Sequence, residues 1–173
     1  MDGRLHNLLT QDHRRLDDLL ARSTAVAGHV DQAAYAEFRG GLLRHISMEE
    51  KVLFPFIRKL RGGQPLPMEN KLRLDHGARA ALLVPPPTRG IIAALRTILS
   101  SHNVVEEGPA GVYEVCEELA GAALNELLTK LRATPEVPMA PHVDTQNVLD
   151  ATRRALARAG YRLDDYLEGE ASS

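Results

Sequence analysis

Leu5, Leu9, Leu16 and Leu20 fall on one helical stripe between about Gly3 and Ala27, with Leu8 and Leu19 beside it. Arg14, Arg15, Asp17 and Asp18 flank that stripe as the wet side, and His13 lies within it. Gly28-His29-Val30 reads as a turn, and Asp31 as the N-cap of a second helix from about Gln32 to Leu60. The inner face of that helix should carry Phe38, Leu42, His45, Glu49, Val52 and Phe56. Gly40-Gly41 weakens it by roughly 1 kcal/mol per Gly, which close approach of a neighbouring helix would explain. Pro55 should kink it or end it early. Arg61 to Pro67 is a linker. A third helix, about Glu69 to Leu83, carries Leu72, His76 and Ala80 at steps of four and stops at Pro85-Pro86-Pro87. A fourth starts near Arg89 and carries Leu95, Leu99, His102 and Glu106. Gly108-Pro109 interrupts it as a kink or a full break, and helix resumes through Val112, Cys116, Leu119 and Leu127 to about Arg132. After a proline-rich stretch from Thr134 to His142, Thr145 should cap a last helix ending near Gly160, and Glu168 to Ser173 should fray. No strand-like alternation stands out. The expectation is all-α: an antiparallel four-helix bundle over residues 1–133, with a connection and an additional C-terminal helix over 134–173 packed on the same domain.

Two stretches repeat each other. Phe38, Leu42, His45 and Glu49 become Leu95, Leu99, His102 and Glu106 when 57 is added to each number. The steps of four, three and four define one helical face. The same shift carries Phe56 onto Tyr113, and each half has an Asp-His pair upstream, Asp12-His13 and Asp75-His76.

Four His and two Glu therefore sit on apolar faces. A single His there is ordinarily a packed core residue. Inward carboxylates are harder to place, because an ionised carboxylate is almost never buried without a counter-charge. A His and a Glu four positions apart lie side by side, about 6 Å apart along the helix axis. His13, His45, Glu49, His76, His102 and Glu106 are too many ligands for one tetrahedral zinc. They suit two ions bridged by both Glu, each ion with two His, two carboxylate oxygens and open positions for a small ligand.

Composition narrows the partners. The chain has 173 residues, 44% apolar and 25% charged, enough for one domain with a real core. A net charge of −2 without a long basic run argues against nucleic acid as the main partner. The single cysteine, Cys116, allows no intramolecular disulfide and suits a reducing compartment. Neither a signal-peptide run nor a membrane-length apolar stretch is seen, so the cytoplasm is the expected location and no membrane partner is expected.

The order Asp12-His13, His45-x-x-x-Glu49-Glu50 followed by Leu53-Phe54-Pro55, Asp75-His76, and His102-x-x-x-Glu106-Glu107 resembles the hemerythrin family, in its HHE cation-binding branch, over about residues 5 to 115. The resemblance implies a four-helix bundle with a non-haem di-iron centre, its irons joined by an oxo or hydroxo bridge. His13 and His45 would serve one iron, His76 and His102 the other, with Glu49 and Glu106 bridging. It implies dioxygen, nitric oxide or peroxide as the small ligand, bound or reduced, with any electron donor a separate protein. An iron-binding storage or regulatory module is the alternative, and a metal-free helical interaction protein is a third reading. Two departures matter. Ala80 stands where hemerythrins proper have a further His, which leaves one iron more open and weakens the case for reversible oxygen carriage. The oxygen carriers place their last carboxylate five residues after the final His, at Glu107 here, whereas the internal repeat selects Glu106.

Of the remaining residues, His6 reads as a bundle-end residue and His29 and His142 as loop histidines, the latter near the site mouth if its segment folds back. Glu50 and Glu107 read as solvated or outer-sphere carboxylates, Phe56 and Tyr113 as core, and Cys116 as a buried, inert thiol. Tyr113 could instead hydrogen-bond a metal-bound ligand.

Overall fold

The computed structural model describes residues 3–167, and the expected fraying of Glu168 to Ser173 lies outside the described residues. Among the described residues every regular element is helical. The order is α1 (Arg4–Ser23), α2 (Gln32–Met48), a π-helical turn (Glu49–Leu53), α3 (Phe54–Leu60), α4 (Glu69–Leu82), α5 (Arg89–Glu107), α6 (Val112–Ala120), a 3₁₀ turn (Gly121–Ala123), α7 (Leu124–Arg132), α8 (Gln146–Ala159) and the short α9 (Asp164–Leu167). The last of these has no counterpart in the pattern of the sequence.

The helices form two compact groups. The first comprises the described residues up to Glu69 together with Asn103–Met139, and the second Asn70–His102 together with the described residues from Ala140. In the first group α1 packs on α2 and α6, and α7 packs on α6 and the π turn. Its core is built from Leu5, Leu9, Leu16, Phe38, Leu42, Leu53, Phe54 and Ile57. Gly41 explains the weak spot in α2: a β-carbon there would meet Leu16 Cδ2 at 2.7 Å and Arg15 Nη2 at 2.9 Å, so α1 lies as close as backbone allows. Asp31 caps α2 by accepting from Ala33 N at 3.0 Å and Ala34 N at 3.1 Å. α1 ends at Ser23 rather than Ala27, where the Ser23 and Thr24 hydroxyls both donate back to Leu20 O. Its start is held from far along the chain: the Glu117 carboxylate of α6 accepts from Arg4 N at 3.1 Å and Leu5 N at 2.7 Å, meeting the exposed donors of the helix end.

The second helix does reach Leu60, but through the π turn, in which Phe54 N–H donates to Glu49 O, five residues back. Proline has no N–H and its ring crowds the carbonyl four residues back, so the wider turn gives Pro55 room at the start of α3. The extra residue rotates the inner face. Leu53, Phe54 and Ile57 go into the core, and Phe56, expected there, is half-buried with Lys130 Nζ 5.5 Å from its ring centroid. At Gly108-Pro109 the helix breaks fully. Gly111 N–H donates to Gly108 O at 2.7 Å, and Ala110 takes a positive φ of 56°.

In the second group α8 is tied to α4. Thr152 Oγ1 donates to Ala81 O at 3.3 Å, and Lys71 Nζ donates to Ala159 O at 3.1 Å. Thr145 caps α8 by accepting from Val148 N at 3.4 Å, and Gly160 closes it with φ 92°.

Candidate metal centre

Four of the six candidate ligands meet in the first helix group. α1 supplies His13, α2 supplies His45, the π turn supplies Glu49 and the C-terminal end of α5 supplies Glu106. All four are buried, and one ligand atom from each lies within 4.8 Å of the others. His13 Nε2 is 2.9 Å from His45 Nε2 and 3.4 Å from Glu106 Oε2, and His45 Nε2 is 3.5 Å from Glu49 Oε1. The Tyr113 hydroxyl of α6 completes the cluster. It lies 2.7 Å from Glu49 Oε1, 2.9 Å from Glu106 Oε2, 3.1 Å from His13 Nε2 and 3.4 Å from His45 Nε2.

The outer nitrogens of both imidazoles are held by carboxylates. His45 Nδ1 donates to Asp12 Oδ2 at 2.9 Å, and His13 Nδ1 donates to Glu107 Oε1 at 2.5 Å. Arg15 Nη2 steadies Asp12 from the far side at 2.8 Å. Burial alone would raise the Asp12 carboxyl, but the His45 hydrogen bond and charge and the Arg15 contact outweigh it and hold it below its ordinary range. The hydrogen bond from His13 does the same for Glu107. At His45 burial favours the neutral ring, yet Glu49 and Asp12 override it and push the imidazole up to about 10. Burial, then the charges of Glu106 and Glu49, hold the Tyr113 phenol well above its ordinary value.

These groups fit a cation better than they fit each other. Four buried groups converge on one hydroxyl, and two imidazole nitrogens approach each other to 2.9 Å. Two His nitrogens and two carboxylate oxygens around one point form a donor set that borderline transition metals take. Carboxylates behind the imidazoles fix the rings so that both Nε2 atoms face inward.

The other two candidates lie in the second group. The His76 and His102 rings, from α4 and α5, are 4.9 Å apart between centroids and inclined by 50°. His102 Nδ1 donates to Asp75 Oδ2 at 3.2 Å, and Lys71 Nζ engages the other oxygen of Asp75. His102 Nε2 accepts from Arg79 Nη2 at 2.8 Å, and Arg79 is fully buried.

Sequence reasoning gave Glu107 a solvated or outer-sphere place, the second of which its contact with His13 Nδ1 matches, and gave no part to Arg79. It read Tyr113 first as core through its match to Phe56, but only Tyr113 enters a polar cluster. The signal for Glu107 was its place beside Glu106 on a turn facing α1. Arg79 stands three residues after His76 on the same helix, a spacing that puts both on neighbouring positions. Cys116 is buried, and burial together with Glu49 and Glu106 pushes its thiol up, so it stays protonated. His6 Nε2 contacts Glu107 O at 3.0 Å, His29 is exposed, and His142 Nδ1 lies 3.4 Å from Val84 O.

The family model of the hemerythrin HHE cation-binding domain matches residues 4–108, more than half of the chain. No curated protein and no solved structure matches the chain. No helix among the described residues is long and apolar enough to cross a membrane. Helical among its described residues and matched over more than half of its length, the chain belongs to the hemerythrin HHE cation-binding family.

Proposed function

We propose that this protein binds two non-haem iron ions and uses them to bind or reduce a small oxidant such as dioxygen, nitric oxide or peroxide. The carrying observation is the convergence of His13, His45, Glu49 and Glu106, all buried, around the Tyr113 hydroxyl. By the 57-residue repeat His102 is the counterpart of His45, and by the two Asp-His pairs His76 is the counterpart of His13; these two hold the second ion, and Glu49 and Glu106 bridge. Support for Glu106 over Glu107 comes from their partners: Glu106 faces the inner nitrogen of His13, and Glu107 its outer nitrogen. Asp12, Glu107 and Asp75 orient imidazoles, and the buried surroundings limit water. When bound, iron supplies open coordination positions and a redox couple. The Tyr113 hydroxyl stands among the ligands as a hydrogen-bond donor toward whatever occupies those positions.

Elemental analysis with an optical spectrum of the anaerobically reduced protein, before and after air, tests this reading. Two irons and an air-dependent ultraviolet band are expected. Iron without an oxygen response would leave a storage or regulatory module, and absence of bound metal would leave a helical interaction protein.

A further inference from the structure

Arg79 is a buried cation in an unusual place. Its Nη2 lies 2.8 Å from His102 Nε2, and the other nitrogen of that ring lies 3.2 Å from Asp75 Oδ2. Asp75 accepts, so the ring proton sits on Nδ1 and Nε2 presents a lone pair, into which Arg79 donates. That lone pair is the one a metal ion would use, and it serves one partner at a time. Asp75 is taken by Lys71 and His102. Among the described residues, Arg79 Nε and Nη1 have no hydrogen-bond partner. A guanidinium stays charged at any pH the protein survives, so it cannot yield by losing its proton. It must move away from His102 before the ring can ligate, and until it does, its charge repels an arriving cation.

We infer that Arg79 is an internal competitor for the second ion, so that the protein loads its two ions in order and unequally. The first ion goes to His13, His45, Glu49 and Glu106. His102 joins a second centre only once Arg79 has released Nε2. This rests on the metal reading above and adds to it a built-in asymmetry between the two halves of a repeat whose ligands match. The repeat itself contains the difference: His13 and His76 stand 63 residues apart, and 63 residues before Arg79 is the buried Leu16 of α1, so no arginine stands at the matching place in the first site.

The test is an anaerobic titration of the metal-free full chain with Co(II), followed by calorimetry and by the visible bands of the bound ion. The wild type is expected to bind in two steps whose dissociation constants differ by about ten- to a hundredfold, the factor that one charge-assisted hydrogen bond is worth. Arg79→Met removes both the donor and the charge and should bring the second constant toward the first, leaving the first unchanged. Arg79→Gln should do so in part, and circular dichroism checks that each variant is folded. His102→Ala should abolish the second step alone. Two equal steps in the wild type would overturn the proposal without any variant, as would a second constant that Arg79→Met leaves where it was. Two steps that both survive His13→Ala, or no cobalt bound at all, would instead bring down the metal reading on which the proposal stands.

Discussion

Asp12 is the chain neighbour of His13, yet its Oδ2 accepts from His45 Nδ1 at 2.9 Å, across the gap from α1 to α2. The second Asp-His pair does the same in its own helix group: Asp75, beside His76, accepts from His102 Nδ1 at 3.2 Å. Each dipeptide thus pairs a buried histidine, a candidate ligand in the proposed reading, with an aspartate that aims an imidazole on the next helix. This gives the Asp-His pairs a reason to recur. A helix places adjacent residues about 100° apart, so one can face the centre while its neighbour reaches sideways to the adjoining helix.

Asp12→Ala should therefore weaken metal binding without removing a ligand. The expected loss is about 10- to 100-fold in affinity, as for other partners of ligating imidazoles. Asp12→Asn keeps an acceptor oxygen and should recover part of it. Competition with a chelator of known affinity measures both, and an unchanged affinity in Asp12→Ala would show that His45 needs no such support.

Glu106 and Glu107 separate by the same logic. Glu106→Ala and Glu49→Ala should lower metal content toward one ion or none. Glu107→Ala and Glu50→Ala should leave it near two, with Glu107→Ala binding more weakly because His13 loses its outer partner. Loss of metal in Glu107→Ala but not in Glu106→Ala, read by elemental analysis, would reverse the assignment.

The pH dependence of stability should differ with and without metal. In the metal-free protein the His45 imidazole sits at about 10, above its ordinary 6.5. A group raised on folding contributes stability that is fully present below the unfolded value and is lost as pH rises toward the folded one. Asp12 and Glu107 are lowered, so their contribution is present above the ordinary carboxylate range and lost as pH falls below it. The metal-free protein should be most stable in mildly acidic solution and should weaken from about pH 6.5 upward. Metal displaces the His45 proton, so the metal-bound form should not share that decline. The increment in melting temperature on adding metal should grow between about pH 6.5 and 9, and a constant increment would argue that His45 is not a ligand.

Much of the architecture was legible because helical stripes, caps and breakers are local. Asp31, Thr145 and Gly160 act where their chemistry suggested. The face of α3 was not legible, because the π turn at Glu49–Leu53 adds a residue to the turn and rotates everything after it. A strict step of four therefore put Phe56 inside. Tyr113 is buried as expected, but it is not the structural mate of Phe56, for a related reason. Past Glu106 the chain breaks at Gly108-Pro109 instead of continuing, so equal spacing no longer meant equal position. Partners that lie far along the chain, such as Glu117 at the start of α1, leave no trace in a periodic pattern.

The two adjacent glycines of α2 should respond in opposite ways to alanine. A β-carbon on Gly40 would meet Met139, with Sδ at an ordinary 3.5 Å and Cε at 3.7 Å. Gly40→Ala should stabilise by about 0.5–1 kcal/mol, the helix-propensity difference. On Gly41 the same atom meets Leu16 Cδ2 at 2.7 Å, and Leu16 is buried with little room to move. Overpacking of this kind costs about 1–3 kcal/mol, which cancels or exceeds the gain. Urea unfolding of both variants, with metal content held equal, checks the contrast.

Tyr113→Phe separates the two states of the centre most directly. In the metal-free protein the phenol is a proton source shared by Glu49 and Glu106, at 2.7 and 2.9 Å. Its removal leaves two buried carboxylates facing a ring edge, and a buried group deprived of its partner costs about 1–3 kcal/mol, more when it is charged. In the metal-bound protein the same carboxylates are met by cations, so the hydroxyl matters less to them. Tyr113→Phe should accordingly lower the stability of the metal-free form by more than it lowers that of the metal-bound form. The difference is read from urea unfolding of matched samples with and without metal. Equal losses in the two states would mean that the hydroxyl and the ions do not serve the same carboxylates, and the assignment of Glu49 and Glu106 as ligands would fall with that result.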